Sequence, residues 1–228
     1  MSGVKVALDK ARRDGIEFPS KDYANILRGK VGTTTSIYLN RRELDMFAGV
    51  ETESDIEASV KTKFIVGAWT GARFSDYKSL CEFNIIEDEY EDGDGGQVKV
   101  RSIRYVSEKT NTVSTIPLKP FVETLLRQDC CEVTNSQMNR ILPVLAKRAG
   151  INSNVTIMKA DKNISGEKWE FVRTHTARKS FATNLYILGC PIRNIANYLG
   201  HKSTETTSKN YIMCGNLYNE KSINVFFK

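Results

Sequence analysis

The chain has only two histidines, and each stands in a string suited to phosphoryl transfer: His175 in Thr174-His175-Thr176-Ala177-Arg178, and His201 in Leu199-Gly200-His201. A histidine three positions before an arginine lies one helical turn from it, so the two side chains can point at one target. Gly200 is placed to end a helix just before His201, and Tyr211 follows ten residues after that histidine. A nucleophile, proton carriers and a fixed positive charge are therefore gathered in a short stretch. Cleaving a phosphodiester needs that set: a nucleophile, a proton for the leaving oxygen, and cations around the pentacoordinate phosphate.

These side chains need elements to position them. The spacing predicts a helix over 176–188 with Ala177, Phe181 and Leu185 on one face, stopped by Gly189. Pro191 suits the first turn of another helix that carries Ile192, Ile195, Ala196 and Leu199 inward and is ended by Gly200. Upstream, Asn40 three residues before Glu43 has the form of a helix-opening cap. Val60, Phe64 and Ala68, four apart, give 55–69 one buried face, with Gly71 closing it and Arg73 in the turn beyond.

Three stretches rich in β-formers, 82–90, 97–106 and 112–118, read as a small antiparallel meander. The apolar positions of the middle one shift from Val98 and Val100 to Ile103 and Tyr105, which suggests a bulge or a misjudged register. Helices are expected over 121–127 and 135–148, the second kinked by Pro143. A second short hairpin is expected to join 155–158 and 169–172 around Gly166. The expected fold class is α+β, mostly α-helical, with a small antiparallel three-stranded sheet.

At 228 residues the chain is long enough for one sizeable core, or for one domain plus a remnant of another. Residues 1–35 hold a plausible helix over 4–11, then Gly15, Pro19 and a turn-rich 29–32, and read as a linker ahead of a main domain at 36–228. A net charge of +6 favours a polyanionic partner. No apolar run approaches the ~20 residues of a membrane span and no signal-peptide pattern opens the chain, so no membrane association and a cytoplasmic location are expected. Cysteines 81, 130, 131, 190 and 214 form no C-x-x-C pair, which argues against a disulfide framework or a structural zinc site. The one dense acidic run, 87–95, misses the EF-hand pattern because Tyr90 stands where an oxygen ligand belongs, and is expected to be a solvated turn. Neither a metal nor a cofactor is expected, and arginine, lysine and histidine are left to supply the electrostatics.

Thr70-Gly71-Ala72-Arg73-Phe74-Ser75-Asp76, His175-x-x-Arg178 with Lys179-Ser180-Phe181-Ala182-Thr183, Leu199-Gly200-His201 with Thr206-Thr207 and Tyr211, and Lys109-Thr110 ahead of Ile116-Pro117-Leu118 follow one another in an order that resembles the tyrosine recombinase (phage integrase) family. The resemblance covers about 36–215, and its C-terminal wording is most like integrases of Bacteroides-type mobile elements and phages. It implies a catalytic domain in which Tyr211 attacks the scissile phosphate to form a 3′-phosphotyrosyl bond. Arg73 and Arg178 would clamp the non-bridging oxygens, His201 would donate a further hydrogen bond, His175 would assist proton transfer at the nucleophile, and Lys109 would protonate the departing 5′ oxygen. It also implies a double-stranded DNA partner, a tetramer on two sites from a chain that can be monomeric without DNA, and a missing N-terminal core-binding domain whose last helix survives within 1–35. The tyrosine stands one residue later than the family usually has it; either a longer turn ahead of its helix absorbs the difference, or Tyr211 sits out of line in the resting state. The apolar tail 223–227 is expected either to pack at home or on a neighbouring subunit. A topoisomerase IB-like enzyme and a catalytically silent DNA-binding regulator are the alternative readings.

Overall fold

The computed structural model describes residues 2–16, 35–91, 96–201 and 203–212. The expected turns at Pro19 and 29–32, the tip of the acidic run and the apolar tail lie outside them. In chain order the elements are α1 (Ser2–Arg13), α2 (Arg41–Ala48), α3 (Asp55–Thr70), α4 (Phe74–Tyr77), a 3₁₀ turn (Glu82–Asn84), β1 (Ile85–Glu91), β2 (Gln97–Val106), β3 (Val113–Pro117), α5 (Pro120–Leu126), α6 (Asn135–Arg148), β4 (Asn154–Lys159), β5 (Lys162–Glu167), a second 3₁₀ turn (Lys168–Phe171), α7 (Thr174–Ile187), α8 (Ile192–Tyr198) and α9 (Thr204–Tyr211). Two compact units result, one of residues 36–155 with 165–228 and one of residues 1–35 with 156–164. Within the smaller unit the Thr35 amide donates to the Met158 carbonyl at 2.8 Å.

The larger unit is built around α3. Ser54 caps its start by accepting from the Glu57 amide, as an Ncap serine does. Sequence periodicity assigns it a single buried face, yet Ser59, Val60, Thr62, Phe64, Ile65, Val66, Gly67 and Ala68 are all buried. The reason is location: α2, α4, α5, α6 and α7 all pack against this helix, so few of its sides face water. Gly67 makes room for the Tyr77 ring, which would stand 2.6 Å from an added Cβ. The Tyr77 hydroxyl then donates to the Thr174 carbonyl at 3.2 Å, tying α4 to the start of α7.

Gly71 ends α3 in the left-handed conformation, φ 66°, and a Cβ there would lie 2.4 Å from the Phe181 ring. Gly71→Ala is expected to cost about 2–5 kcal/mol, adding ~1–2 kcal/mol for left-handed backbone to ~1–3 kcal/mol for overpacking. A urea denaturation midpoint compared with the native chain measures this.

The three-stranded sheet runs β1-β2-β3, antiparallel throughout. Its register is unbroken from Glu91↔Gln97 to Ile85↔Ile103 and on to Val106↔Val113, so β2 carries no bulge. The change of face is real but comes from burial: Val98 and Val100 are half-buried on one side while Ile103 and Tyr105 are buried on the other.

The second hairpin also differs from expectation. Its turn is Ala160-Asp161, with φ 51° and 63°, which is the paired left-handed geometry of a tight two-residue hairpin. Gly166 therefore lies inside β5, and Trp169 belongs to a 3₁₀ turn rather than a strand. Helix α6, opened by a Thr134–Gln137 capping box, runs through Pro143 as one element.

Candidate active site

Helix α7 begins at Thr174, two residues earlier than the apolar spacing predicts, because the Thr174 amide and hydroxyl donate to Asn139 and Asn135 of α6. His175 and Arg178 consequently share its first turn and a half. Arg178 is 1% exposed. Its Nη1 donates to the Gly71 carbonyl and its Nη2 to the Leu199 carbonyl, each at 2.6 Å. These carbonyls cap the C-terminal ends of α3 and α8, where a cation is favoured by the helix dipoles. Nε of Arg178 is the only buried side-chain nitrogen or oxygen among the described residues that has no hydrogen-bond partner. An arginine N–H can only donate, so this atom awaits an acceptor.

Around that guanidinium the other C-terminal candidates converge. The guanidinium carbon stands 5.3 Å from the Tyr211 ring centroid. The Tyr211 ring is tilted against His201 at 4.7 Å and meets His175 edge-on at 5.3 Å. Ser203 caps α9 only two residues past His201, so no long turn intervenes, contrary to the first of the two expectations. On this helix Thr207 and Tyr211, four apart, lie on one face. Thr207 is fully buried against His201, and the buried Thr183 hydroxyl of α7 donates to the Tyr211 carbonyl at 2.8 Å, docking the end of α9.

Arg73 and Lys109 stand farther out. Arg73 immediately precedes α4 and donates from Nη1 to the Ser107 hydroxyl at 2.9 Å. That hydroxyl donates in turn to the buried carboxylate of Asp76 at 3.0 Å, and the other Asp76 oxygen accepts the Glu108 amide at 3.0 Å. The first arginine string is thereby fastened to the β2–β3 turn that carries Lys109. Lys109 is exposed on that turn, and its charge acts on His175. Ser107 was invisible as a candidate; its only sequence signal is a small polar residue opening a hairpin turn.

Partial removal of water, then the charges of Lys179, Arg178, Arg73 and Lys109, push the His175 pKa down to about 4. His201 is lowered to about 4 as well, by burial and then by Arg178, Arg73 and His175. Burial likewise lowers Lys179 and Arg178, with Tyr211 acting on Arg178 in the opposite sense. The sign for stability follows: the unfolded chain binds protons at histidine near pH 6.5, whereas the folded chain refuses them until about pH 4. Stability should therefore fall as pH drops from about 6.5 to about 4 and then level for these groups, His175 contributing less because it is exposed. Urea midpoints across that range, native against His175→Gln/His201→Gln, should show a shallower fall in the variant.

Among the described residues no group of three or more His, Cys, Asp or Glu is placed to hold a metal ion, and no helix is long and apolar enough to cross a membrane. The Phage integrase family model matches residues 97–214. No curated protein matches the sequence. Among solved structures, the XerH site-specific recombinase bound to a palindromic difH substrate is similar over 89% of this chain and 56% of its own, with a TM-score of 0.59 at 18% identity. The Tn1549 transposon integrase in complex with transposon right end DNA aligns over 98% of this chain and 77% of its own, with a TM-score of 0.56 at 12% identity. The XerA recombinase aligns over 85% and 66%, with a TM-score of 0.52 at 17% identity. The chain thus spans little more than half the length of the XerH recombinase and about two thirds of XerA.

Proposed function

The chain belongs to the phage integrase family, and from that premise we propose that it is a site-specific DNA recombinase that cuts and rejoins DNA through a covalent tyrosine intermediate. The phenol oxygen of Tyr211 attacks the phosphorus, the bond to the 5′ oxygen breaks, and a 3′-phosphotyrosyl link forms while a 5′-hydroxyl leaves. The phenolic proton passes to His175, which its lowered pKa keeps neutral at working pH and able to accept. Lys109 gives a proton to the departing oxygen from the hairpin turn. Because the phosphodiester energy is kept in the new bond, rejoining needs no nucleotide cofactor.

The observation that carries this reading is the unpaired, buried Nε of Arg178 beside the Tyr211 ring. A planar guanidinium already anchored by two carbonyls presents its remaining donors in fixed directions, as bidentate phosphate recognition requires. Arg73, tethered through Ser107, supplies the second guanidinium. Preorganised donors of this kind are each worth ~10²- to 10³-fold in rate. Electrostatic stabilisation by these cations is sufficient chemistry without a metal ion, and four subunits on two duplex sites would complete strand exchange.

The test is incubation of the chain, in EDTA, with a library of nicked duplexes of randomised sequence. Denaturant-resistant protein–DNA adducts should form, and sequencing the captured duplexes yields the preferred site. Binding without any adduct overturns the reading in favour of a silent regulator; relaxation of supercoiled DNA by monomers without recombinant products favours a topoisomerase.

A further inference from the structure

The hydrogen bonds of His201 define which of its nitrogens carries the proton. Nε2 lies 3.0 Å from Nη2 of Arg178, and an arginine nitrogen has no lone pair to offer, so Nε2 accepts. The ring is then neutral with its hydrogen on Nδ1, which lies 2.9 Å from the Thr207 hydroxyl and donates to it. In this tautomer Nε2 has no hydrogen for a phosphate oxygen. The hydrogen-bond role that the family resemblance implies for His201 requires one.

We propose that Thr207 is a positioning residue whose hydroxyl reverses its role, accepting from His201 at rest and donating to it when a phosphate group enters the site. This rests on the recombinase reading. An entering phosphate oxygen takes over the Arg178 donor, Nδ1 releases a proton to solvent, Nε2 takes one up, and the imidazole stays neutral. Thr207 can follow the exchange because a hydroxyl is both donor and acceptor; a carboxylate would lock the proton on Nδ1, and a backbone amide would lock it on Nε2. Thr207 is 0% exposed, so no water substitutes for it. It stands one turn before Tyr211 on the same face of α9, so the helix that presents the nucleophile also readies the histidine.

With only two histidines in the chain, long-range ¹H–¹⁵N spectra of protein labelled at histidine read the tautomer directly, His175→Gln assigning the signals. In the free native chain His201 should carry its hydrogen on Nδ1, and in complex with a captured nicked duplex on Nε2. Thr207→Val should keep the Nδ1 preference in the free chain, where Arg178 still donates to Nε2, but lose the Nε2 preference in the complex and form adduct ~10²-fold more slowly, the low end of acid–base and hydrogen-bond contributions, while Thr207→Ser restores both. In a His201→Ala background, Thr207→Val should add no further loss. A free native His201 protonated on Nε2 would refute the proposal, as would a Thr207→Val chain whose complex keeps the native Nε2 tautomer and whose adduct rate is within about threefold of native. The free-state spectra need no DNA, so failure here is distinct from failure of the recombinase reading, in which the native chain forms no adduct at all.

Discussion

Tyr211→Phe is expected to abolish the covalent protein–DNA adduct while leaving the fold and DNA binding in place. The change deletes one oxygen and keeps the ring, so the contacts at 4.7 Å with His201 and 5.3 Å with His175 and the Arg178 guanidinium survive. The tether from Thr183 is to the Tyr211 backbone carbonyl and is unaffected. The stability cost should be about 1 kcal/mol or less, the net value of a typical hydrogen bond. The chemical loss should be on the order of 10⁴-fold or more, because no other group can form the covalent intermediate. Denaturing gels on a nicked duplex measure the adduct, and a binding titration run beside it should give a native dissociation constant. An adduct that persisted in the variant would move the nucleophile elsewhere.

Arg178→Lys should be nearly as severe and should also weaken the fold. Lysine keeps the charge but has one nitrogen, which cannot reach the Gly71 and Leu199 carbonyls together and also face a phosphate. Loss of at least one buried charge-assisted hydrogen bond should cost about 1.5–3 kcal/mol of stability. Loss of the preorganised donor should slow adduct formation by ~10²- to 10³-fold at saturating DNA. Urea denaturation and single-turnover cleavage separate the two effects. A variant with native cleavage but reduced stability would make Arg178 a structural cation only.

Local signals in the sequence were informative where the chain's own neighbours decide conformation. The Asn40–Glu43 capping box forms, with the Asn40 side chain on the Glu43 amide and the Glu43 carboxylate on the Asn40 amide. Gly71, Gly189 and Gly200 all adopt positive φ at helix ends. The same local reasoning failed where glycine was taken as the mark of a turn, since Ala160 and Asp161 make the β4–β5 turn in left-handed backbone without one. It failed again on α3 and β2, because periodicity tells which residues share a face and says nothing of which faces will be covered.

The amino-acid order by itself determined which chemical groups this protein has and their succession along the chain: an arginine after a helix-ending glycine, a lysine on a hairpin turn, His175 one turn from Arg178, and a tyrosine beyond a second histidine. Tertiary structure alone decided that Arg178 is buried between two helix C-termini with its Nε left unpaired. It also decided that Ser107 ties Arg73 to the hairpin and that the Thr207 hydroxyl meets Nδ1 of His201. Spacing of three or four residues places side chains on a common face, whereas distances between segments and the removal of water arise only when distant helices pack together.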